Sequence, residues 1–367
     1  MANLLHISAN VYPSLDGKDH HTKNIWKELA KGFDTYHILA RSEDNHYRCS
    51  QEGNIYLHLV PRITEKSKIF FLTSFWMFYL IKKYNITHLL SQCPIVGGYT
   101  ASLASRFFNI PLMVELHGEE YFRFLKKRTF LYKIFSSIMM KTIAQAKKIR
   151  SLNEEMTQKL YAEDIVENVV IIPNRVNLEI FNKTKMDYAV HHPLKLISVG
   201  RFVPEKDYLN LIKNLHHSNM DFHLTLIGGG KLKDIYMKYI HKYELQKKVK
   251  LIDWIEQKDM IDLLVESDIY IQSSMSEGMP RTIVEAMALK LPIISTEVGS
   301  IKGVLKDRHN AILIKENSQK QIKDTIDLLV GDEALRMKIA DQAFKDVLEK
   351  YEWNKIFELY RYELKNM

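Results

Sequence analysis

The chain alternates short apolar runs with longer segments of helical spacing, and it does so twice. Such alternation is typical of a parallel sheet wrapped by helices on both faces. The sequence therefore predicts an α/β protein with two doubly wound, Rossmann-like domains. The strand-like runs are residues 4–8, 35–39, 55–59, 88–90, 112–116, 148–151 and 169–172 in the first half, and 195–199, 223–227, 249–252, 269–272, 292–295 and 311–314 in the second.

A length of 367 residues exceeds what one hydrophobic core usually supports, so two domains are expected. The polar, unpatterned residues 181–193 are interpreted as the linker. We predict an N-terminal domain over 1–185 and a second domain over 194–345. Residues 332–367 have a continuous helical pattern, and the helix over 346–367 is expected to pack back on the N-terminal domain.

Two cysteines, Cys49 and Cys93, cannot form a disulfide framework or a four-ligand zinc site, and they favour a reducing compartment. The chain opens directly with a strand-like run instead of a secretory signal. Its longest apolar stretch, 69–81, is shorter than the roughly 20 residues that span a bilayer. These features predict a cytoplasmic protein.

Nearly all of the net charge of +8 lies in residues 1–190. Residues 121–150 contain nine basic side chains and no acidic one, interleaved with apolar residues. Two interpretations stay open, a solvated helix face or attachment to the anionic inner face of the cell membrane. Nucleic acid is not an expected partner, because no recognised binding motif accompanies the charge.

The strongest local signal is residues 273–288, which follow a strand-like run. Gly278 permits a tight turn, and Pro280 suits the first position of a helix. The N–H groups of Gly278 and Met279 would then form an anion seat at the helix N-terminus. Glu277 and Glu285 could both face one cleft, where carboxylates bind sugar or ribose hydroxyls. An acidic helix start without a ligand is the alternative.

Basic residues follow the strand-like run 195–199. After Gly200, Arg201 and Lys206 flank a proline turn and could converge on a diphosphate. With two cations and a helix N-terminus around it, that diphosphate would need no metal ion and no further cofactor. Gly228 and Gly229 follow the next strand-like run, but Lys233 stands where a dinucleotide fingerprint requires glycine. A flexible turn near the nucleotide is the expected role of these glycines.

Two candidate sites lie in the first half. His117 ends a strand-like run, although a lone histidine is more often structural. The first loop contains Gly17, Lys18, His20 and His21, which are candidates for acceptor or phosphate contacts. Adjacent histidines diverge, so a metal site at His20 and His21 is not expected.

Together these motifs resemble the family 4 retaining glycosyltransferases of the GT-B fold, in which two such domains face each other across a cleft. Glu277 and Glu285 fit the family's two-glutamate motif, and residues 199–206 fit its phosphate-binding segment. The resemblance implies that Arg201 and Lys206 hold the diphosphate of a nucleotide-sugar. It implies that Glu277, Gly278 and Met279 bind the sugar, that Glu285 holds the ribose, that Ile255 borders the base, and that His117 approaches the transferred sugar.

The expected activity is metal-independent transfer of a hexosyl or N-acetylhexosaminyl group, from a UDP-sugar rather than a GDP-sugar, to a lipid-linked glycan. Such an acceptor belongs to bacterial envelope polysaccharide synthesis, for example of lipopolysaccharide or capsule. The first loop departs from the family pattern at Lys18, His20 and His21, and Arg175 replaces a frequent glycine. The alternatives are a non-catalytic sugar-nucleotide-binding partner of another transferase and a glycoside hydrolase that uses Glu277 and Glu285.

Overall fold

A computed structural model describes residues 1–15, 20–43, 46–61, 74–117, 129–163, 168–315 and 318–367. These residues form two compact units. The first unit comprises residues 1–172 with 357–367, and the second unit comprises 173–356.

The first unit is built on an eight-stranded sheet of order β3-β4-β2-β1-β5-β6-β7-β8. Its strands pair in parallel except for the edge strand β3, which is antiparallel to β4. Its described elements are β1 (Asn3–Tyr12), α1 (His20–Ala30), β2 (Thr35–Ser42), β3 (Arg48–Glu52), β4 (Ile55–Val60), α2 (Ser74–Tyr84), β5 (His88–Ser91), α3 (Gly98–Phe108), β6 (Leu112–Glu115), α4 (Phe130–Gln145), β7 (Lys148–Ser151), α5 (Glu154–Tyr161) and β8 (Val169–Ile171).

The second unit contains a six-stranded parallel sheet of order β11-β10-β9-β12-β13-β14. The elements from residue 194 to the end of the chain are β9 (Leu194–Val199), α6 (Tyr208–His217), β10 (Phe222–Ile227), α7 (Lys233–Lys242), β11 (Val249–Ile252), α8 (Gln257–Glu266), β12 (Ile269–Gln272), α9 (Arg281–Ala288), β13 (Ile293–Thr296), β14 (Ile312–Ile314), α10 (Gln319–Gly331), α11 (Glu333–Lys350) and α12 (Trp353–Lys365). Among the described residues, no helix is both long and apolar enough to cross a bilayer.

The mixed α/β architecture with parallel sheets confirms the predicted fold class. The central strands are buried on both faces, as in β9, where Leu196 and Ile197 are at most 1% exposed. This explains why these strands appear in the sequence as continuous apolar runs. Helix α6 contributes Leu211 and Leu215 to the core of the second unit, and each such side chain stabilises the fold by about 1.5–3 kcal/mol when fully buried.

The first unit ends at residue 172, whereas the sequence predicts an N-terminal domain that ends at residue 185 because residues 181–193 are polar. Residues 173–193 are held to the second unit by polar contacts. The Lys185 amide donates to the Leu289 carbonyl at 2.8 Å, its Nζ to the Ser267 carbonyl at 2.8 Å, and the Tyr188 hydroxyl to the Lys290 carbonyl at 3.0 Å. These contacts are made by polar groups, which leave no hydrophobic periodicity in the sequence. The segment was therefore predicted to be a linker.

The prediction of one continuous C-terminal helix over 332–367 was wrong. Helix α11 ends at Lys350, and Val176 pairs with Glu352 before α12 begins. The Val176 amide donates to the Tyr351 carbonyl at 3.0 Å, and the Trp353 amide donates to the Val176 carbonyl at 3.1 Å. A distant backbone segment therefore takes over the hydrogen bonds that would have continued the helix.

Residues 357–367, the end of α12, belong to the first unit. There Nζ of Lys148 lies 2.5 Å from Oε2 of Glu363, and Arg361 donates to the Glu28 carbonyl at 3.0 Å. The Tyr360 hydroxyl donates to the buried Glu115 carboxylate.

Two strands of the first unit differ from their predictions. Strand β1 continues to Tyr12, past the predicted end at residue 8, through an irregularity in its register with β2 between Ile7 and Val11. Strand β3 was not predicted, because all five of its residues are exposed and none forms an apolar run.

Candidate functional site

Strands β9 and β12 are neighbours in the sheet of the second unit, although β10 and β11 separate them in sequence. The strand order reverses at this point, and ligands of open α/β sheets bind at such a reversal, beyond the carboxyl ends of the strands. The loops that leave these two strands, residues 200–207 and 273–280, carry the predicted diphosphate and sugar residues.

Lys206 and Glu277 form an ion pair between these loops. Nζ of Lys206 lies 2.6 Å from Oε1 of Glu277, and the two side chains are only 14% and 10% exposed. The same oxygen accepts a hydrogen bond from Nε2 of Gln272 at 2.5 Å and another from the Ser274 hydroxyl. The pair is therefore fixed in a position from which water is mostly excluded, where charge–charge interactions are stronger than at an open surface.

Gln272 and Ser274 were not singled out in the sequence. Gln272 is the last residue of β12 and is 1% exposed. A buried amide at the end of an apolar strand requires hydrogen-bond partners, and that is the signal by which it could have been found. The Tyr270 hydroxyl donates to its Oε1 at 2.9 Å, which leaves the Gln272 amide nitrogen to donate to Ser274 and Glu277.

The position of Lys206 depends on Gly200. A Cβ atom at Gly200 would lie 2.7 Å from the Tyr208 hydroxyl and 3.0 Å from Cε of Lys206. Gly228 has a positive φ of 146°, and a Cβ atom there would lie 2.0 Å from the Gly200 carbonyl oxygen. Glycine is thus needed at both positions for the loops after β9 and β10 to pack together.

Backbone contacts attach the loop after β9 to both neighbouring loops. The Phe202 amide donates to the Gly229 carbonyl and the Met275 amide to the Glu205 carbonyl, both at 2.8 Å. The Ser273 hydroxyl donates to the Lys206 carbonyl at 2.9 Å. The basic residues are therefore carried by a loop that the rest of the second unit already holds in place.

Arg201 and Ile255 lie at the rim of this region. Arg201 is exposed, and Ile255 follows β11 in a half-buried position. Trp254, its neighbour, is 58% exposed, and its Nε1 lies 3.5 Å from the position of a Cβ atom at Gly229. The glycine turn and the loop after β11 are thus adjacent.

Helix α9 begins at Arg281, so Pro280 occupies the N-cap position and not the predicted first helical position. Its ψ of 125° is extended, which places it before the first turn. Met279 is buried, and its carbonyl accepts a hydrogen bond from Nδ2 of Asn174 at 2.5 Å. The Glu277 carbonyl in turn accepts from the Ser300 amide at 3.2 Å, so Gly278 lies in a loop that is fixed on both sides.

Glu285 lies on the second turn of α9, as predicted. Burial raises the pKa of its carboxyl above the usual range, and the nearby Arg281 guanidinium opposes that shift only in part. A carboxylate that has lost much of its water gains from polar ligands that donate hydrogen bonds, and ribose hydroxyls are ligands of that kind.

In the first unit, His117 follows β6, with its side chain 42% exposed. Its Nε2 lies 3.1 Å from Oε2 of Glu115, the 3%-exposed last residue of β6. Burial alone would raise the pKa of the Glu115 carboxyl, but the charges of His117 and Arg150 outweigh it and hold that pKa well below its usual range. His117 is therefore anchored at the carboxyl end of a central strand.

The predicted first-loop site is only partly described. Gly17 and Lys18 lie outside the described residues. His20 and His21 are the first two residues of α1, so the expectation that they lie in a loop was wrong.

Comparison with known proteins places this geometry in context. Residues 183–346 match the family model of group 1 glycosyl transferases. An uncharacterized glycosyltransferase of Methanocaldococcus jannaschii is 26% identical over 355 residues, which cover 94% of this chain and 93% of that protein. A UDP-Gal:alpha-D-GlcNAc-diphosphoundecaprenol alpha-1,3-galactosyltransferase of Escherichia coli is 26% identical over 273 residues, 70% of this chain and 69% of that enzyme.

Solved structures share the fold over the whole chain. Sucrose-phosphate synthase of Thermosynechococcus elongatus superposes with a TM-score of 0.78 at 14% identity, and both chains are covered completely. HepE of Anabaena, solved in complex with UDP, superposes with a TM-score of 0.76 at 14% identity, also with complete coverage. The chain is therefore similar to group 1 glycosyl transferases over 183–346, and it shares the GT-B fold of these neighbours.

Proposed function

We propose that this protein is a family 4 retaining glycosyltransferase that uses a UDP-sugar and needs no metal ion. The observation that carries the proposal is the ion pair of Lys206 and Glu277, which joins the loops after β9 and β12. It brings an ammonium group and a carboxylate side by side at the strand-order reversal. This supports a site in which Lys206 would bind a diphosphate and Glu277 would accept hydrogen bonds from sugar hydroxyls.

The chemistry follows from charge. When the bond between the anomeric carbon and the diphosphate breaks, negative charge develops on the departing UDP. Lys206 and Arg201 lie on the loop after β9, where they would stabilise that charge without rearrangement of the loop. Glu285 would accept hydrogen bonds from the ribose, and His117, in the first unit, would contact the transferred sugar. A hexosyl or N-acetylhexosaminyl group is the expected cargo.

The alternatives fit the arrangement less well. A glycoside hydrolase needs one carboxyl that donates a proton to the leaving oxygen. Oxygen Oε1 of Glu277 accepts from Lys206, Gln272 and Ser274, so of the two glutamates Glu285, whose pKa burial raises, would have to donate that proton. The cationic loop beside Glu277 disfavours a hydrolase, because it has no purpose without an anionic leaving group. A non-catalytic sugar-nucleotide-binding partner would bind a donor but would neither hydrolyse nor transfer it.

The choice of donor rests on the relatives. HepE was solved with UDP, and the E. coli relative is named for a UDP-galactose donor. A panel of UDP-, GDP- and ADP-sugars should therefore raise the melting temperature most for a UDP-sugar, since a ligand that binds only the folded state stabilises it. Incubation of the best donor with acceptor extracts and NMR of the product's anomeric proton then test transfer and retention. Nucleotide binding without turnover would support the non-catalytic alternative, and an inverted product would contradict a retaining enzyme.

The proposed acceptor is a lipid-linked glycan of envelope polysaccharide synthesis, met at the inner face of the cell membrane. The E. coli relative is named for a diphosphoundecaprenol-linked acceptor. In this chain, the first turns of α4 expose Phe130, Leu131 and Ile134 to 77%, 65% and 41%, and the exposed Lys133 lies among them. Apolar side chains beside cations are suited to an anionic membrane interface. Four of the nine basic residues of 121–150, namely Arg123, Lys126, Lys127 and Arg128, lie outside the described residues.

Vesicle sedimentation tests this attachment. The wild type should sediment with anionic vesicles and much less with neutral ones, because each basic residue near an anionic surface contributes about 1 kcal/mol. A Phe130→Ser/Leu131→Ser variant should lose binding. The matched control is Met186→Ser in the second unit, where the methionine is 84% exposed. Equal sedimentation of all three proteins with both lipids would refute the membrane surface and favour a soluble acceptor.

A further inference from the structure

Glu115 is a buried carboxylate whose two oxygens have different partners. Oε1 accepts hydrogen bonds from Nη1 of Arg150 and from the Tyr360 hydroxyl. Oε2 lies 3.1 Å from Nε2 of His117. The buried cation of Arg150 and the phenol of Tyr360 thus hold one oxygen, and the other oxygen is directed at the exposed histidine.

The position of the carboxylate is determined on several sides. The Arg150 side chain is buried in the core, and its Nε also donates to the Ile172 carbonyl at 2.9 Å. Its guanidinium lies 4.9 Å from the centre of the Tyr360 ring. Tyr360 is 1% exposed. Glu115 therefore has little freedom to rotate, and its Oε2 presents a fixed acceptor to His117.

A hydrogen-bond acceptor held opposite Nε2, here Oε2 of Glu115, determines which nitrogen of a neutral imidazole carries the proton. The proton must lie on Nε2 to donate to Oε2, and Nδ1 then carries the lone pair. Nδ1 is the ring nitrogen that this contact leaves for a ligand at the carboxyl end of β6. An acceptor nitrogen at that position suits a hydroxyl group, which can donate to it.

Among the described residues, the buried titratable groups His6 and Tyr36 do not compete with Glu115 for the contact with His117. His6 interacts electrostatically with the Glu115 carboxylate and is buried, with Nδ1 2.5 Å from the Tyr36 hydroxyl; burial lowers the pKa of His6 to about 4. Burial also raises the pKa of Tyr36 well above its usual value. Both groups are thus neutral near pH 7.5, so in the described part of the chain the permanent cation that contacts Glu115 is Arg150.

We propose that Glu115 is a positioning residue, which fixes the ring and the tautomer of His117 so that Nδ1 accepts a hydrogen bond from a hydroxyl of the transferred sugar. The positioning role of Glu115 rests on the proposed function only in that the group bound by Nδ1 is taken to be the transferred sugar. The orientation of His117 is a property of the first unit and can be measured without any substrate.

The variant Glu115→Gln gives a sharp test, because Arg150 and Tyr360 both donate to the Oε1 position. The amide oxygen of the substituted side chain must take that position, so its NH2 group faces His117 and donates to Nε2. The proton of a neutral His117 then moves to Nδ1. The matched control is Tyr360→Phe, which removes one donor to Oε1 but keeps the Oε2 contact with His117.

Nitrogen-15 NMR of histidine-labelled protein at pH 8 reads the tautomer, and a His117→Gln variant assigns the signal. The wild type and Tyr360→Phe should show the proton on Nε2, and Glu115→Gln should show it on Nδ1. With the donor identified in the nucleotide-sugar panel, Glu115→Gln should lower kcat by about 10-fold at nearly unchanged donor KM, as expected for the loss of one hydrogen bond in the transition state. Tyr360→Phe, which keeps the Oε2 contact with His117, should lower kcat by less.

The outcomes separate the two proposals. A wild-type His117 with its proton on Nδ1 overturns the positioning role without any variant, even if Glu115→Gln does not fold. An inverted tautomer with unchanged kcat overturns the link to the sugar and leaves the transferase function standing. Absence of transfer by the wild type, with the expected tautomers, rejects the proposed function but not the orientation of His117.

Discussion

Nζ of Lys206 lies 2.6 Å from Oε1 of Glu277, and the two residues are 71 positions apart in sequence. The same Glu277 oxygen also accepts hydrogen bonds from Nε2 of Gln272 and from the Ser274 hydroxyl. A diphosphate bound beside Lys206 would compete with the carboxylate for the same ammonium group. Binding of the nucleotide and the position of Glu277 are therefore expected to be coupled.

Lys206→Ala should weaken binding of a UDP-sugar by about 1.5–3 kcal/mol, because it removes a charge-assisted contact. Isothermal titration with UDP measures the effect directly. Arg201→Ala should cost a similar amount, since its guanidinium is expected to contact the same phosphates. Lys258→Ala is the matched control, an exposed lysine on α8 of the same unit. Wild-type affinity in the first two variants would remove both residues from the site.

Transfer should proceed at the same rate in excess EDTA as in added Mg²⁺ or Mn²⁺. The physical reason is that Lys206, Arg201 and the loop amides would provide the positive charge that a divalent ion provides elsewhere. The assay measures initial rates of UDP release with each addition. Loss of activity in EDTA that Mn²⁺ restores would contradict the proposed role of the cationic loop.

Glu285→Gln should have opposite effects on stability and on nucleotide binding. The pKa of Glu285 is raised in the folded state, so the folded protein holds this proton more tightly than the unfolded chain. Its contribution to the free energy of unfolding therefore decreases as pH rises through the interval between the unfolded and folded pKa values. At pH 7.5 the glutamine variant should melt higher than the wild type, while its affinity for UDP falls. Glu266→Gln, on α8, is the control; a lower melting temperature in Glu285→Gln would refute the burial penalty.

The free energy of unfolding should fall as pH decreases from about 6.5 towards 4. His37 and His58 are 0% exposed, and Nδ1 of His37 lies 3.1 Å from Nε2 of His58. Burial lowers the pKa of His37 to about 3 and that of His58 to about 4, and the neighbouring His58 lowers that of His37 further. The unfolded chain binds protons first, so stability is present above the unfolded pKa and is lost below it.

Urea unfolding at pH 7.5, 6.5 and 5.5 measures this loss, which should reach up to about 1.4 kcal/mol per pH unit for each histidine. His37→Asn should reduce the slope, whatever its effect at pH 7.5. His223→Asn is the matched control, because His223 is exposed on β10. Parallel pH profiles for the wild type and His37→Asn would show that the buried pair does not titrate in this range.

The local hydrophobic pattern of the sequence was sufficient to predict the fold class and most of the strands and helices. Buried parallel strands are continuous apolar runs, so the order of strands and helices and the α/β class could be predicted from periodicity. Arg201, Lys206, Glu277 and Glu285 could be selected because each follows a strand-like run or lies in the helix after it, where sites of such sheets occur. Strand β3 escaped prediction because its exposed residues carry no hydrophobic pattern.

The tertiary structure decided which of these residues meet. Periodicity is a local property, whereas the Lys206–Glu277 pair depends on the adjacency of β9 and β12 and on a glycine at 200 that makes room for the lysine stem. The contact of Val176 with Glu352 broke a helix that the sequence predicted as continuous. In the same way, Glu115 became a partner of Tyr360, 245 residues away, because burial of the carboxylate required donors that only the folded chain brings to it.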